Sequence, residues 1–526
     1  MRTAALVALF AGLGSSSVFA QESRPAAGPL AIVHARVLRP GAPPLEDATI
    51  VLRGRKIAAV GRDVEIPGDA RRIDAAGATV TSGWIDARGS TPLEAAAIVE
   101  NLPQGAAYRA LDGLDLVDRE GRVADALRHG VTACYVAAGR GLVAGLGTLV
   151  KMRPGDYDLD ALPVAETEAM TFVGGSARGA ATVARLADWT TLRKTLRDAQ
   201  KLREQLDQWR EDLDKWLEEK KKSGLASRPA SSPSESRSSS EGPAPPAERG
   251  GLPRRRRPPR SAEEEGLLAL ARTMGFPPLV EDPEGSALLD DAPIVAAQDG
   301  GPTDDDAPPA TPAVQDVEDA PFQSKPASEA AAKGAGERPK KPDQNLHLEA
   351  LQPALRRDVP VRIEARRADE IRGAIAVAKE FRLRAVLEGL DEGDLVLDEI
   401  AESGLPVVLA PVRTADPSPD GRATNPALAA MLEERGVPFA IGTGRDFQGT
   451  PWLRAQVALA IAGGCSRDAA LAAVTTRAAE LVDAGDRLGS VEEGREADLV
   501  LFDGDPFDPA TEVRMTIVEG EILHER

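Results

Sequence analysis

The sequence predicts an α/β fold built around a mostly parallel sheet, and three observations carry that prediction. Short apolar runs of strand character alternate with amphipathic helical runs through the second half of the chain. Segments rich in Val and Ile, punctuated by Gly and Pro, occupy both ends of the chain. A Pro-, Ser- and charge-rich tract separates two halves that each resume the ordered pattern. The order suits a (β/α)8 barrel, in which loops after each strand build the site, with an open doubly wound sheet as the alternative. No G-x-G-x-x-G stands at a strand–helix turn to support a dinucleotide.

The chain has 526 residues, enough for a large core and more than one domain. Residues 1–20 read as a signal peptide. Arg2 supplies the positive start, "AALVALFAGLG" is apolar but too short to span a bilayer, and Val18 and Ala20 take the small-residue cleavage positions. Cleavage would leave Gln21 first, and export would place the protein in the periplasm or outside the cell. Only Cys134 and Cys465 are present, in apolar contexts far apart, so buried free thiols are expected rather than a disulfide framework. No later segment is apolar enough to cross a membrane. A net charge of -19 argues against a nucleic-acid partner, since phosphates require concentrated positive charge.

Residues 21–80 contain strand runs such as "ATIVLRGRKIAAVG", and residues 486–526 repeat the texture in "ADLVLFDGD" and "EVRMTIVEGEILHER". Chain termini often lie close together, so the two ends are expected to share a sheet. Residues 81–222 form the first α/β half, with "GRVADALRHG" a helix and "VTACYVAA" a strand. A long helix is expected at 188–222, opened by Asp188 as N-cap, with Leu192, Leu196, Ala199, Leu202, Leu206, Trp209, Leu213 and Trp216 as one apolar seam. That seam suits packing on the chain's own barrel, and the alternative, a coiled-coil seam, leaves a homo-oligomer open. Residues 223–345 are expected to be a disordered low-complexity insertion, because their composition cannot bury a core. From 346 to 485 the alternation is regular: strands at "VPVRIEA", "LRAVLEG", "LPVVLAP" and "VPFAIGTG" are interleaved with helices at "ADEIRGAIAVAKEF", "LVLDEIAESG" and "PALAAMLEERG". Two further helices follow, "WLRAQVALAIAGG" and "SRDAALAAVTTRAAELV".

These segments resemble the amidohydrolase superfamily, in particular its imidazolonepropionase-like branch. The resemblance rests on "VLRGRKIAAVG" followed by "DAAGATVTSGWIDA", on "DALRHGVTACYVAAGRGLVAGLGTLVKMR", on "VPVRIEARRADEI" and "LRAVLEGLDE", on "GVPFAIGTGRD", and on the closing "LGSVEEGREADLVLFDGDPFDP". It implies a (β/α)8 TIM-type barrel carrying a composite β-sandwich domain drawn from both chain ends. It also implies hydrolysis of a C–N or ester bond by a hydroxide on zinc or another divalent ion, which needs imidazoles and carboxylates at the barrel mouth.

At the positions the resemblance assigns to those ligands, other residues stand. The H-x-H positions fall on Arg88 and Ser90, the strand-five segment reads Glu364, Ala365, Arg366, the strand-six histidine falls on Gly389, and the strand-eight aspartate falls on Gly444. The strand-four ligand has no assignable position. The four histidines, His34, His129, His347 and His524, all lie away from barrel-strand ends in the sequence pattern. The expectation is therefore no metal and no cofactor. Carboxylates at the mouth, among them Asp86, Glu364, Glu388, Asp391 and Asp446, could suit an oxygen-bound cation, but Arg88, Arg366, Arg367 and Arg445 would repel it. Asp86, Arg88, Glu364, Arg366, Arg445 and Asp446 are instead expected to form either an ion-paired plug or a pocket for a small anion. No serine or cysteine has a histidine placed for nucleophilic catalysis. The function read from the sequence is an exported pseudoenzyme that binds or scaffolds. An active hydrolase with an atypical site, and an interaction protein working through residues 188–345, are the alternatives.

Overall fold

The computed structural model describes residues 28–93, 105–115, 118, 121–137, 141–154, 162–174, 182–222, 338–412, 425–444 and 449–526. The expected signal peptide, most of the low-complexity insertion, Arg445 and Asp446 lie outside them.

The two chain ends build one eight-stranded sheet. Its strands are β1 (Leu30–Arg39), β2 (Ala42–Arg53), β3 (Lys56–Gly61), β4 (Arg71–Asp74), β5 (Thr79–Ser82), β14 (Leu499–Phe502), β15 (Val513–Val518) and β16 (Glu521–Glu525). The order is β16-β15-β14-β5-β1-β2-β3, with β4 also pairing β1. The join between the ends is the antiparallel pair β5–β14, Thr79 opposite Phe502 through Ser82 opposite Leu499. Its core is aliphatic: Ile32, Val37, Ile50, Ile57, Val80, Leu499 and Ile517 are all buried.

The second eight-stranded sheet curls into a nearly closed barrel. It comprises β6 (Trp84–Gly89), β7 (Val131–Val136), β8 (Val143–Lys151), β9 (Ala169–Val173), β10 (Val361–Ala365), β11 (Ala385–Gly389), β12 (Val407–Leu409) and β13 (Phe439–Ile441), hydrogen-bonded in chain order. The pure (β/α)8 expectation needs one correction. The third strand, β8, is antiparallel to both β7 and β9. Only Ala137–Leu142 separate it from β7, far too few residues for a parallel crossover, so the chain returns as a hairpin. β9 then restores the direction shared by β10 to β13. β9 is the fourth strand, whose ligand position the sequence leaves unassigned.

The helices are α1 (Arg122–Arg128), α2 (Thr182–Lys222), α3 (Leu346–Ala350), α4 (Gln352–Arg356), α5 (Ala368–Glu380), α6 (Leu397–Ser403), α7 (Leu428–Glu434), α8 (Leu453–Ala462), α9 (Arg467–Ala472) and α10 (Thr476–Leu481). The long helix begins at Thr182, not after Asp188. Thr182 to Ala187 contain no Gly or Pro and several strong helix formers, so the helix runs on upstream and Asp188 sits inside it. Trp189, Leu192, Leu196 and Ala199 are buried in the main core and Leu202 is buried after them, so the first half of the seam packs on the barrel. Farther on, Leu206, Trp209, Leu213 and Trp216 are only partly buried, and the Trp209 indole donates to the Pro339 carbonyl at 3.1 Å. Residues 338–345, expected to be disordered, thus include a segment held against this helix.

The last helical run, expected as one element, is two. The break at Ala473–Thr475 contains two β-branched residues, and its freed carbonyls are used: Ala473 accepts from Ile441 N–H at 2.9 Å and Val474 from Ile85 N–H at 2.8 Å. This break joins the end of β13 to the start of β6, which share no ladder. At the other end of the same seam the Gly444 N–H donates to the Arg88 carbonyl at 2.7 Å. A Cβ on Gly442 would stand 2.6 Å from Arg88 N and 2.7 Å from its carbonyl oxygen, so only glycine permits the approach.

Candidate functional site

The barrel mouth is assembled from strand ends. Successive residues of a strand face opposite sides, so Arg362 and Glu364 of β10 share one face, and Glu364 stands opposite Glu388 of β11 in the parallel register. On β6, irregular pairing between Asp86 and Gly89 re-aims the strand as it leaves the barrel. The result brings Arg88, Arg362, Glu364 and Glu388 together, each at least 96% buried.

Their contacts form an alternating chain of charge. The Arg362 Nε donates to Glu388 Oε1, and its Nη2 donates to the Ala87 carbonyl at 2.6 Å. Its guanidinium carbon lies 3.7 Å from the centre of the Tyr135 ring. Glu388 Oε2 accepts from Arg88 Nε at 3.1 Å. Arg88 Nη2 stands 3.9 Å from Glu364 Oε2, and Glu364 Oε1 accepts from Arg366 Nε at 3.3 Å. Arg366 Nη1 reaches both oxygens of Asp391, at 3.3 and 3.2 Å. The order Arg362, Glu388, Arg88, Glu364, Arg366, Asp391 gives three guanidiniums against three carboxylates. Burial alone would pull the Arg88 guanidinium down, but Glu388 and Glu364 outweigh it and the net shift is upward. Arg366 behaves the same way, held up by Glu364 and Asp391.

Asp86 is separate from this chain. The expected pairing with the Arg88 side chain is not what forms. Asp86 Oδ1 accepts from Thr443 N–H at 3.0 Å and from the Arg88 backbone N–H at 3.2 Å, and Oδ2 accepts from Thr443 Oγ1 at 2.6 Å. Burial raises its pKa, and the hydrogen bonds from Thr443 only partly oppose that rise. Gly89 is required here, since a Cβ would lie 2.4 Å from Asp86 Oδ2 and 2.6 Å from Cys134 Sγ. The raised Asp86 pKa has a testable sign. From about pH 4 upward, the unfolded chain has lost a proton that the folded chain keeps, so stability is full below that window and falls as pH rises through it. Asp86→Asn is expected to flatten this slope in urea midpoints measured across the window. An unchanged slope would count against a buried protonated carboxyl.

The other sequence-predicted positions are accounted for as follows. Ser90 is buried beside Arg88. Gly389 and Gly444 have positive φ, 92° and 87°, so both serve backbone geometry where the resemblance puts ligands. Arg445 and Asp446 lie outside the described residues. Arg362 was missed. The signal was present, because a residue two positions before Glu364 on a strand must share its face.

The histidines stay away from the mouth. His34 pairs with Asp74 at 3.0 Å on the terminal sheet, His129 Nδ1 lies 2.8 Å from the Asp125 carbonyl, His347 is in α3 and His524 in β16. Among the described residues, no three His, Cys, Asp or Glu side chains converge as a metal ion requires. Both cysteines are free and buried. Burial, then Asp86, pushes the Cys134 thiol well up, and burial followed by Glu433 pushes Cys465 up to about 12, so neither supplies a thiolate near neutral pH.

Fold and mouth together define a nearly closed eight-stranded barrel with buried ion pairs at its strand ends. Residues 429–524 match the family model described as the amidohydrolase family. The imidazolonepropionase of Caldanaerobacter subterraneus subsp. tengcongensis is 38% identical over 85 residues, 16% of this chain and 20% of that protein. That of Cupriavidus necator is 34% identical over 153 residues, 28% of this chain and 35% of that protein. The chain thus matches only a fifth to about a third of these relatives' length. The crystal structure of an amidohydrolase from Thermotoga maritima superposes with a TM-score of 0.62 over 94% of this chain and 100% of that one, at 19% identity, a likeness of fold. The sequence likeness to the amidohydrolase family and to imidazolonepropionases thus covers parts of the chain, and the solved structure adds a likeness of fold.

Proposed function

We propose that this is an exported protein that keeps the amidohydrolase fold, including a two-layered terminal sandwich, but works without a divalent ion and by binding or scaffolding rather than hydrolysis. The observation that carries the reading is the alternating charge chain from Arg362 to Asp391. A divalent cation needs neutral imidazoles and free carboxylates, whereas here guanidiniums already neutralise Glu364 and Glu388 from within the barrel. The residues present at the mouth do not fit the ion that the family uses. Equal numbers of opposite charges favour a closed ion-paired plug over an anion pocket.

The test is metal analysis and activity on the purified full chain. Zinc, iron, manganese and magnesium are each expected below about a tenth of an ion per chain, because a dedicated site would hold its ion stoichiometrically. Turnover of dipeptide-like, lactam and cyclic imide substrates is expected at background, with or without added zinc or manganese. A stoichiometric ion together with turnover would make the chain an active C–N hydrolase of unusual site. Export is checked on the same material, whose first residue is expected to be Gln21; retention of Met1 speaks against it.

A further inference from the structure

Outside the charge chain, a groove of about 650 Å³ lies where α8 and the turn Thr450–Trp452 meet α1 and the loop between β14 and β15. That volume is typical of small-molecule sites. Ala455, Leu459 and Phe507 supply apolar wall, and Trp452 stands there 63% exposed, an unusual position for so large an apolar ring. The groove has one cationic group whose pairing is incomplete. Arg454 donates from Nε and Nη2 to the Pro506 carbonyl, both at 3.3 Å, and from Nη2 to the Asp508 carbonyl at 2.9 Å.

Among the described residues, Arg454 pairs with no carboxylate and its Nη1 makes no hydrogen bond. The acids around it are engaged elsewhere: Asp505 with Arg467, Asp503 with the Glu512 N–H at 2.9 Å, and Asp508 with the Ala510 N–H at 2.9 Å. Burial pulls the Arg454 guanidinium down from its ordinary value, which an anion beside it would reverse.

We propose that this groove binds a small aromatic carboxylate, with its ring against Trp452 and its carboxylate on Arg454. Charge complementarity selects the anion, since Arg454 makes no ion pair of its own and the nearby Asp503, Asp508 and Asp505 do not make up for its burial. The exposed indole selects a flat ring, which it can stack in an offset arrangement. Asp125 lines the same groove and disfavours a second negative charge, so the ligand is a monoanion. The groove shares no residue with the charge chain at the mouth and stands whether or not the barrel binds a metal.

The experiment is calorimetric titration of the full chain with cinnamate, and with uncharged cinnamamide as control. Saturable one-to-one binding of cinnamate is expected, with cinnamamide at least about tenfold weaker. Arg454→Gln and Trp452→Ala are each expected to weaken cinnamate by about tenfold or more. Trp452 is mostly exposed, so its variant keeps the fold and carries the test even if Arg454→Gln does not. No saturable binding, equal affinity for cinnamamide, or affinity unchanged in Trp452→Ala overturns the proposal.

Discussion

Glu388→Ala is expected to destabilise the protein by about 3–5 kcal/mol, because it strands two buried guanidiniums at once. Glu388 is 1% exposed and holds Arg362 on one oxygen and Arg88 on the other. Water cannot reach either cation without opening the barrel, so the lost attraction is not made good by solvent. Against a total stability of about 5–15 kcal/mol the loss is large and shows as a lower urea midpoint. Replacing all three groups together, Arg88→Met, Glu388→Leu and Arg362→Met, removes both stranded guanidiniums with the carboxylate between them and leaves Glu364 and Asp391 on Arg366. This triple variant is expected to recover most of the loss, since apolar residues of similar volume often match a buried ion pair. A Glu388→Ala cost below about 1 kcal/mol, the range of exposed pairs, would sink the paired arrangement.

The second large effect lies at the joint between the two sheets. Lys151, at the end of β8, is 2% exposed; its Nζ lies 2.9 Å from Glu496 Oε2 and also donates to Asp498 Oδ2. Burial opposes its charge, yet Asp498 and Glu496 hold its pKa up, and Lys151 and Arg487 in turn hold Glu496 down against its own burial. Lys151→Met is expected to cost about 3–5 kcal/mol near neutral pH by leaving Asp498 buried without its cation and Glu496 with Arg487 alone. The depressed Glu496 carboxyl contributes stability to the parent that is present above the ordinary carboxylate range and lost as pH falls, and the variant forgoes Lys151's share of it. The gap from the parent chain should therefore shrink as pH falls toward about 4. A gap independent of pH would mean that Lys151 acts through packing alone.

Much of this architecture is legible in the residues. "TSGWIDARGST" reads as a strand end, and β6 with buried Asp86, Arg88 and Ser90 is what forms. The strand–helix alternation after residue 346 matches β10 through β13 and the helices between them. What escaped the sequence is set by distance or by negative space. Arg88 pairs with Glu388, 300 residues away, and Asp86 with Thr443, 357 away, because barrel curvature chooses partners that no local pattern records. The reversed β8 follows from a short connection whose length was visible but whose consequence was not drawn. The start of α2 was misplaced because an interior acidic residue and an N-cap look alike in one sequence.

The carbonyls at Ala473–Thr475 bear on how the molecule comes into being. β6 and β13 have no ladder between them, and the bonds that join them come from Thr443 and Gly444 at one end and from this break at the other, so closure is completed only when the chain reaches the break. During synthesis from the N-terminus, β6 therefore waits with one edge free while nearly the whole protein emerges. Closure is a late step of long sequence separation, the kind that slows folding and leaves strand edges exposed to other chains. Nascent chains that end before Thr475 are thus the ones that need a chaperone most, and completed chains should shed that need as Ile85 and Ile441 find their acceptors.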